Sequence, residues 1–447
     1  MKLVADPSLQ RWDEGRTVAG GSPYRIMRLT PRGAELLDGW LAGEPVTTGS
    51  SLAHRLVRVG MVHPEHESAS LRPGDVTVVI PVHGALPDEL LAAVEGLAVV
   101  VVDDGSPTPV PGAAVRHDTP RGPAAARNAG WRLADTSVVA FLDADTVPAP
   151  GWLDTLLRHF TTPEVAAVAP RVRSRQGVSA LERFERTCSP LDLGSQAGPV
   201  VPGSRISYVP TAALLIRTTV LAELGGFDED MRFGEDVDLV WRLTARHQAR
   251  YEPAAIVEHA PRPSWPALLR QRYGYGCSAG PLGSRHGEHV APARISSWSA
   301  LTWLLIALGR PRLALAVTGA AAVLLTRKLG ALGIPARESI TLAVRGNLGA
   351  ARLLADCAGR AWAPLAIPPL LLSKRGRVVL ALVAARHLTE PRELDPLRHT
   401  LARVAEDAAY GCGVLRGVLR ERSTTALRPV LTDRGGRSSV PVTGGPA

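Results

Sequence analysis

The sequence predicts an α/β protein built on a parallel sheet, with a small helix-containing unit before the sheet and an apolar helical region after it. Three observations carry this. Apolar runs at 76–81, 98–102, 138–142 and 165–169 alternate with stretches of helical character. Two of these runs end in acidic clusters, Asp103-Asp104 and Asp143-Ala144-Asp145. Beyond residue 296 the pattern changes to longer apolar stretches flanked by basic residues.

Each element has its own justification. Runs of four to six apolar residues without alternation suit strands buried on both faces. The segments 122–134 and 151–160 between them are helical, and strand–helix alternation builds a parallel sheet over 74–285. Ahead of it, residues 1–70 form a first unit. Thr30-Pro31 reads as an N-cap followed by proline at the first helical position, and Ala34, Leu37, Trp40 and Leu41 follow helical spacing. A second short helix covers 51–59, Gly60 ends it, and 61–63 reads as a strand. Strand, two helices and strand resemble a small winged-helix module of the peptide-recognition type. Behind the sheet, 298–308, 313–325 and 361–372 are apolar, each shorter than the roughly 20 residues that span a bilayer. Trp298, Trp303 and Trp362 lie near their ends, and Arg327-Lys328 and Lys374-Arg375 flank them. This helical region, 296–420, fits either a buried subdomain or shallow contact with a membrane surface. The tail, 423–447, is rich in Thr, Gly, Arg and Pro and is expected to be disordered.

Composition narrows the classes of function. With 447 residues and 45% hydrophobic content, the chain can hold several folded units. Its net charge is +9, and all but three of the 51 basic residues are Arg. No basic run is interleaved with aromatics, so nucleic acid is not an expected partner. Cys188, Cys277, Cys357 and Cys412 are scattered and form neither a disulfide framework nor a zinc ribbon. Residues 1–10 lack an apolar signal core. The expected location is the cytoplasm, with peripheral attachment to the inner face of the cell membrane open.

The chemistry lies at the strand ends, where ligands bind in open α/β sheets. Asp103-Asp104 precedes Gly105-Ser106, a sequence that also suits an ordinary turn. Asp143 and Asp145 are two apart in extended chain and point to the same side. Paired carboxylates there repel unless a cation compensates, and oxygen ligands suit Mg²⁺ or Mn²⁺. Arg127 and Asn128 lie in the first turns of the helix opened by Gly122-Pro123, a place for phosphate. Glu235, Asp236 and Asp238 open another helix, where the macrodipole favours negative charge. A carboxylate there could act as a general base. His259 ends the strand at 250–257 and could add a third metal ligand.

The order DDGS, ARNAG, DAD, GGFDE, GED and a closing His resembles the GT-A fold of family 2 glycosyltransferases over about 74–280. The resemblance implies an enzyme that moves a sugar from a nucleotide-sugar donor to an acceptor hydroxyl. It implies Pro81, Val82, Asp103, Asp104, Arg127 and Asp143 at the donor, and Asp145, Asp143 and His259 at Mn²⁺ or Mg²⁺. It also implies Asp236 as catalytic base with Glu235 beside it. Trp241, Arg242 and Tyr273 are the candidate acceptor residues, the last because Arg270-Gln271-Arg272-Tyr273 loosely resembles the QxxRW of processive synthases. His83-Gly84 departs from the family, where an aromatic and Asn are frequent. The layout, with GGFDEDMRFGEDVDLVWRL and QRYGYGCSAGPLGSRHG, is also similar to the mycofactocin-biosynthesis glycosyltransferases of actinobacteria. That family adds β-1,4-linked glucose to a small peptide-derived redox cofactor, so a peptide-derived acceptor is the expected partner.

Overall fold

The computed structural model describes residues 1–47 and 49–433. The N-terminal unit contains strands β1 (Lys2–Ala5), β2 (Gln10–Trp12), β3 (Thr17–Gly20), β4 (Arg25–Arg28) and β5 (Val62–Glu65) and helices α1 (Pro31–Leu41) and α2 (Ser51–Arg58). The Thr30 and Ser50 hydroxyls accept from the backbone N–H of Gly33 and Ala53, which fixes both helix starts. β1 pairs antiparallel with β5, and Leu37, Trp40, Leu56 and Met61 fill the core between sheet and helices. A three-stranded antiparallel sheet, β2-β3-β4, was not expected from the sequence. Its strands are three or four residues long, too short for a periodicity to show.

The central sheet comprises β6 (Val76–Val82), β7 (Ala98–Asp103), β8 (Val115–Arg116), β9 (Val138–Leu142), β10 (Thr146–Pro148), β11 (Val165–Ser174), β12 (Gly198–Pro199), β13 (Ala213–Arg217) and β14 (Gln248–His259). The order is β10-β14-β11-β13-β9-β6-β7-β8, with β12 beside β14. The sheet is mixed rather than purely parallel, because β13 runs antiparallel between β9 and β11. β10 is likewise antiparallel to β14. The apolar Ala-Leu-Leu-Ile of β13 carries no alternation, so the sequence alone did not distinguish it from a helical segment. Helices α3 (Asp88–Ala93), α4 (Pro123–Trp131), α5 (Trp152–Leu157), α6 (Ala180–Cys188), α7 (Thr218–Leu224), α8 (Glu235–Thr244), α9 (Trp265–Cys277) and α10 (Ala279–His286) surround it. Ile80, Val82, Leu142 and Leu156 lie in one apolar cluster, and Val79, Phe141, Leu239 and Tyr251 in the other. Successive residues of one strand thus point to opposite, equally buried faces. Parallel pairing brings the carboxyl ends of β6, β7 and β9 to one edge, and β14 ends there too, opposite Thr146.

The remaining chain is helical: α11 (Ser297–Ala307), α12 (Pro311–Gly330), α13 (Ala336–Gly359), α14 (Ala363–Leu371), α15 (Lys374–Ala385) and α16 (Pro396–Glu421). The apolar stretches lie in α11, α12 and α14. α12 extends past its apolar stretch to 20 residues, and by length and composition it could cross a membrane. α16 returns along α9 and α10 at backbone contact distance. A Cβ on Gly276 would stand 2.1 Å from the Tyr410 carbonyl oxygen, and one on Gly413 2.1 Å from that of Tyr273. Only glycine permits this approach. Beside it, Arg272 donates to Glu406 in a fully buried ion pair, and Arg403 donates to the same carboxylate at 2.7 Å. The expectation of a disordered tail fails over 423–433. Val430–Leu431 (β15 being Arg294–Ile295, this strand is β16) pairs parallel with β15, and Asp433 accepts from the Ser297 N–H at 2.8 Å. A two-residue strand paired across more than 100 residues leaves no compositional trace. Residues 434–447 of that tail lie outside the described residues.

Candidate active site

A cleft of about 1640 Å³ opens at the carboxyl edge of the sheet. Pro81, Val82, Asp104, Arg127, Asp143, Asp145, Glu235, Asp236, Trp241 and His259 all line it, so most of the candidate residues converge on one space.

Asp103 does not line the cleft. It is fully buried and accepts from the N–H of Ser106 at 2.8 Å and of Val110 at 3.1 Å, and from Arg116. Burial alone would raise its pKa, but these donors outweigh it and hold the carboxyl well below the usual range. Its place is inside the loop that it shapes, which corrects the expectation of donor contact. Asp104 is the cleft-facing partner. Its carboxylate accepts from the N–H of Arg121 and Gly122, each at 2.8 Å, and from His117 at 2.7 Å, tying the loop to the start of α4. His83 also faces the cleft, with Nδ1 3.0 Å from the Asp104 carbonyl oxygen.

Arg127, buried on α4, bridges two acids. It donates to Asp143 at 2.6 Å and to Glu235 at 3.0 Å. Next to it, Asn128 donates to the Phe227 carbonyl and accepts from the Phe227 N–H, which fixes the GGFDE loop against the helix. Asp143 is an ion-pair partner of Arg127 on the same cleft wall as Asp145 and His259.

Asp145 and His259 do converge, with Oδ2 and Nε2 3.1 Å apart. Arg262 Nη2 lies 3.5 Å from Asp145 Oδ2 and 3.0 Å from His259 Nε2. Burial raises the Asp145 pKa, but His259 and Arg262 overcome this and lower it. An ionised carboxylate oxygen and an imidazole nitrogen at an open cleft wall are a donor set that fits Mn²⁺ or Mg²⁺.

Glu235 and Asp236 stand in the first turn of α8, which starts from Gly234 at φ 79°. Burial raises the Glu235 pKa against the pull of Arg127. Asp236 is pushed up to about 7, first by burial and then by the charge of Glu235. Among the described residues, its Oδ1 accepts only the adjacent Val237 N–H, at 2.8 Å.

The acceptor candidates divide. Trp241 belongs to the cleft wall, with its indole donating to the Ser207 carbonyl at 2.7 Å. Arg242 points away and donates to Asp238, Leu224 and Gly226, so it braces α8 instead. Tyr273 faces α16, where Arg416 donates to its hydroxyl at 3.2 Å. These two corrections have one cause: helical rotation turns both side chains off the cleft face. Sequence reasoning missed Arg262, Tyr208, Tyr275, Arg360 and Tyr410, all of which line the cleft. Arg262 was within reach, three residues past His259. Arg360 and Tyr410 come from the distant helical region and had no local signal.

Acidic strand ends beneath a helix-borne carboxylate, on a mostly parallel sheet, define a glycosyltransferase of the GT-A class. The family model for "Glycosyl transferase family 2" matches residues 77–225. The pre-mycofactocin glycosyltransferase of Mycobacterium tuberculosis (strain H37Rv) is 39% identical, over 93% of this chain and 94% of that one. The chain belongs to the family 2 glycosyltransferases. It is also 31% identical to the succinoglycan biosynthesis protein ExoU of Rhizobium meliloti, over 40% of this chain and 59% of the relative. Among solved structures, the mannosyltransferase PcManGT of Pyrobaculum calidifontis, in complex with GDP-Man and Mn²⁺, aligns with a TM-score of 0.36 and 20% identity. That alignment covers 65% of this chain and 90% of the other.

Proposed function

We propose that the protein moves glucose from UDP-glucose onto a small peptide-derived redox cofactor precursor, a pre-mycofactocin, with inversion at the anomeric carbon, building a β-1,4-linked chain. The acceptor reading is supported by the near full-length likeness to the pre-mycofactocin glycosyltransferase. The reaction reading rests on one observation above all: Asp236 faces the same cleft as Asp145 and His259.

In this reading Pro81, Val82, Asp104 and the start of α4 receive the nucleotide. Asp145 and His259 would hold Mn²⁺ or Mg²⁺, which when bound neutralises charge on the diphosphate leaving group. Arg127 keeps Asp143 and Glu235 paired and fixed, so neither drifts toward the donor. Asp236 accepts the proton of the acceptor hydroxyl as the oxygen attacks the anomeric carbon. A base that titrates at about 7 matches that task near neutral pH. Positioning and fixed charge do the rest. The expected site of action is the cytoplasm.

The test is a donor screen with Mn²⁺, UDP- and GDP-sugars and small-molecule cell extract, followed by mass. Stepwise hexose addition from UDP-glucose to a small redox-active molecule is expected. Addition from another donor alone would remove the glucose assignment. A second reading, transfer to a lipid-linked acceptor at the inner face of the cell membrane, is favoured by α12, which is long and apolar enough to cross a membrane and has little of its apolar length buried. Hexose confined to the lipid fraction would select it.

A further inference from the structure

One stretch of the cleft wall is apolar and adjoins Asp236. Met231, Trp241 and Leu282 are buried in contact with one another, Val237 and Val290 pack on them, and all five line the cleft. They come from the loop before α8, from α8 itself, and from α10 with the turn after it. Val237 and Trp241 stand one helical turn apart on the same face of α8. α10 meets the start of that helix closely: a Cβ on Gly234 would stand 2.7 Å from Ser278 Cβ and 3.1 Å from Leu282 Cδ1. The apolar wall therefore reaches the residues that flank Asp236, whose Oδ1 accepts from the Val237 N–H at 2.8 Å.

Polar groups bordering this wall are engaged elsewhere. The Trp241 indole donates to the Ser207 carbonyl at 2.7 Å, and the Ser278 hydroxyl to the Tyr275 carbonyl at 2.8 Å. The Trp241 ring meets that of His286 edge-on, with centroids 5.2 Å apart. Behind that pair, Asp238 holds His286 and Arg242, each at 2.8 Å, and Arg285 spans Asp228 and Asp238. Asp238, Arg242, Arg285 and His286 are paired with one another and do not line the cleft. Arg232, next to Met231, does line it but is exposed, so water solvates its charge. A wall of indole, thioether and aliphatic carbon stabilises apolar surface and penalises a charge held against it. Indole and thioether also favour contact with an aromatic ring over an aliphatic one.

We infer that Met231, Val237, Trp241, Leu282 and Val290 form the acceptor subsite, which holds an uncharged aromatic ring and presents the hydroxyl it carries to Asp236. This rests on the glycosyl-transfer reading above.

The experiment titrates the full chain, loaded with Mn²⁺ and UDP, by calorimetry with 4-propylphenol and 3-(4-hydroxyphenyl)propanoate, which share ring and hydroxyl and differ in the carboxylate. The propylphenol is expected to bind about tenfold more tightly, the scale on which an apolar pocket discriminates. Met231→Gln, close in shape but polar, should weaken 4-propylphenol by about tenfold and narrow the gap between the probes. Met231→Leu should retain the wild-type preference, and both variants should keep UDP affinity. 4-Propylanisole, whose oxygen carries a methyl group, should bind less tightly than 4-propylphenol to wild type and equally to Asp236→Ala. Thermal melts of the three variants report folding separately. Propanoate binding as tight as that of propylphenol would overturn the subsite. So would undiminished propylphenol affinity in folded Met231→Gln, or no binding of either probe at millimolar concentration. An anisole deficit that persists in Asp236→Ala would overturn the placement of the hydroxyl. Failure of UDP itself to bind would instead strike the donor reading, and the same titration on the unloaded protein would still decide the subsite.

Discussion

The sheet region and the helical region place their apolar and charged residues in opposite ways. In the strands, Val78, Ile80, Phe141, Leu142 and Ile216 are fully buried, and buried Arg127 is shared between Asp143 and Glu235. Between 297 and 385, Leu304, Leu308, Leu315 and Leu372 are more than half exposed, and eleven Arg and Lys stand against two acidic residues. That segment alone carries +9, the net charge of the whole chain, so the rest is balanced. The sheet region therefore uses charge internally, to fix a site. The helical region turns apolar and basic surface outward together, the combination that attracts an anionic membrane surface. Internal charge belongs to the first; affinity for an anionic surface is the proposal for the second.

The comparison breaks most visibly at Asp236. Asp236→Asn is expected to lower transfer by roughly 10²–10⁴-fold, the range for general-base removal, with UDP affinity retained. Wild-type turnover would exclude Asp236 as the base. The pH profile sharpens this. The base must be ionised, so kcat/KM should rise through about 7 and level off above it. Stability should move the other way. Raising an acid's pKa from 3.8 to about 7 favours the protonated folded state, an advantage complete below about 4 and lost as the pH climbs to 7. Denaturation midpoints measured across that window should fall more steeply with pH in wild type than in Asp236→Asn.

Arg127→Met leaves two carboxylates facing each other without their cation. A loss of roughly 3–5 kcal/mol in urea unfolding is expected, the scale for breaking a buried ion pair. A change below about 1 kcal/mol, ordinary for an exposed pair, would mean that the sheet does not depend on internal charge. At the junction of the two regions, Gly413→Val forces a side chain onto the Tyr273 carbonyl. Overpacking costs about 1–3 kcal/mol, and faster hydrogen exchange confined to α9 and α16 is the expected readout. The smallest effect tests the outer surface. Replacing Lys374 and Arg375 by Gln should weaken co-sedimentation with phosphatidylserine vesicles by about 1 kcal/mol per charge, roughly fivefold each. Equal pelleting with neutral vesicles would remove the electrostatic half of the contrast.

What the sequence made legible follows from range. β6, β7, β9 and β11 announced themselves because strands buried on both faces need continuous apolar runs. The acidic clusters were visible because strand ends concentrate them in a few consecutive residues. β13 was hidden because its direction depends on neighbours, not on composition. The sequence does not distinguish the surroundings of Asp103 and Asp143; only the structure shows that Ser106, Val110 and Arg116 donate to one and Arg127 to the other. Arg360 and Tyr410 could not be found by spacing, since they enter the cleft through backbone contacts between helices remote in sequence.

The glycine contact between α9 and α16 also bears on the chain while it is being made. Asp145 and Asp236 leave the ribosome well before Tyr410 does. A nascent chain can therefore assemble its carboxylates early, but the facing wall arrives only with one of its last helices. A chain that stops short of α16 keeps those carboxylates, yet it lacks Tyr410 in the cleft and leaves Arg272 without Glu406.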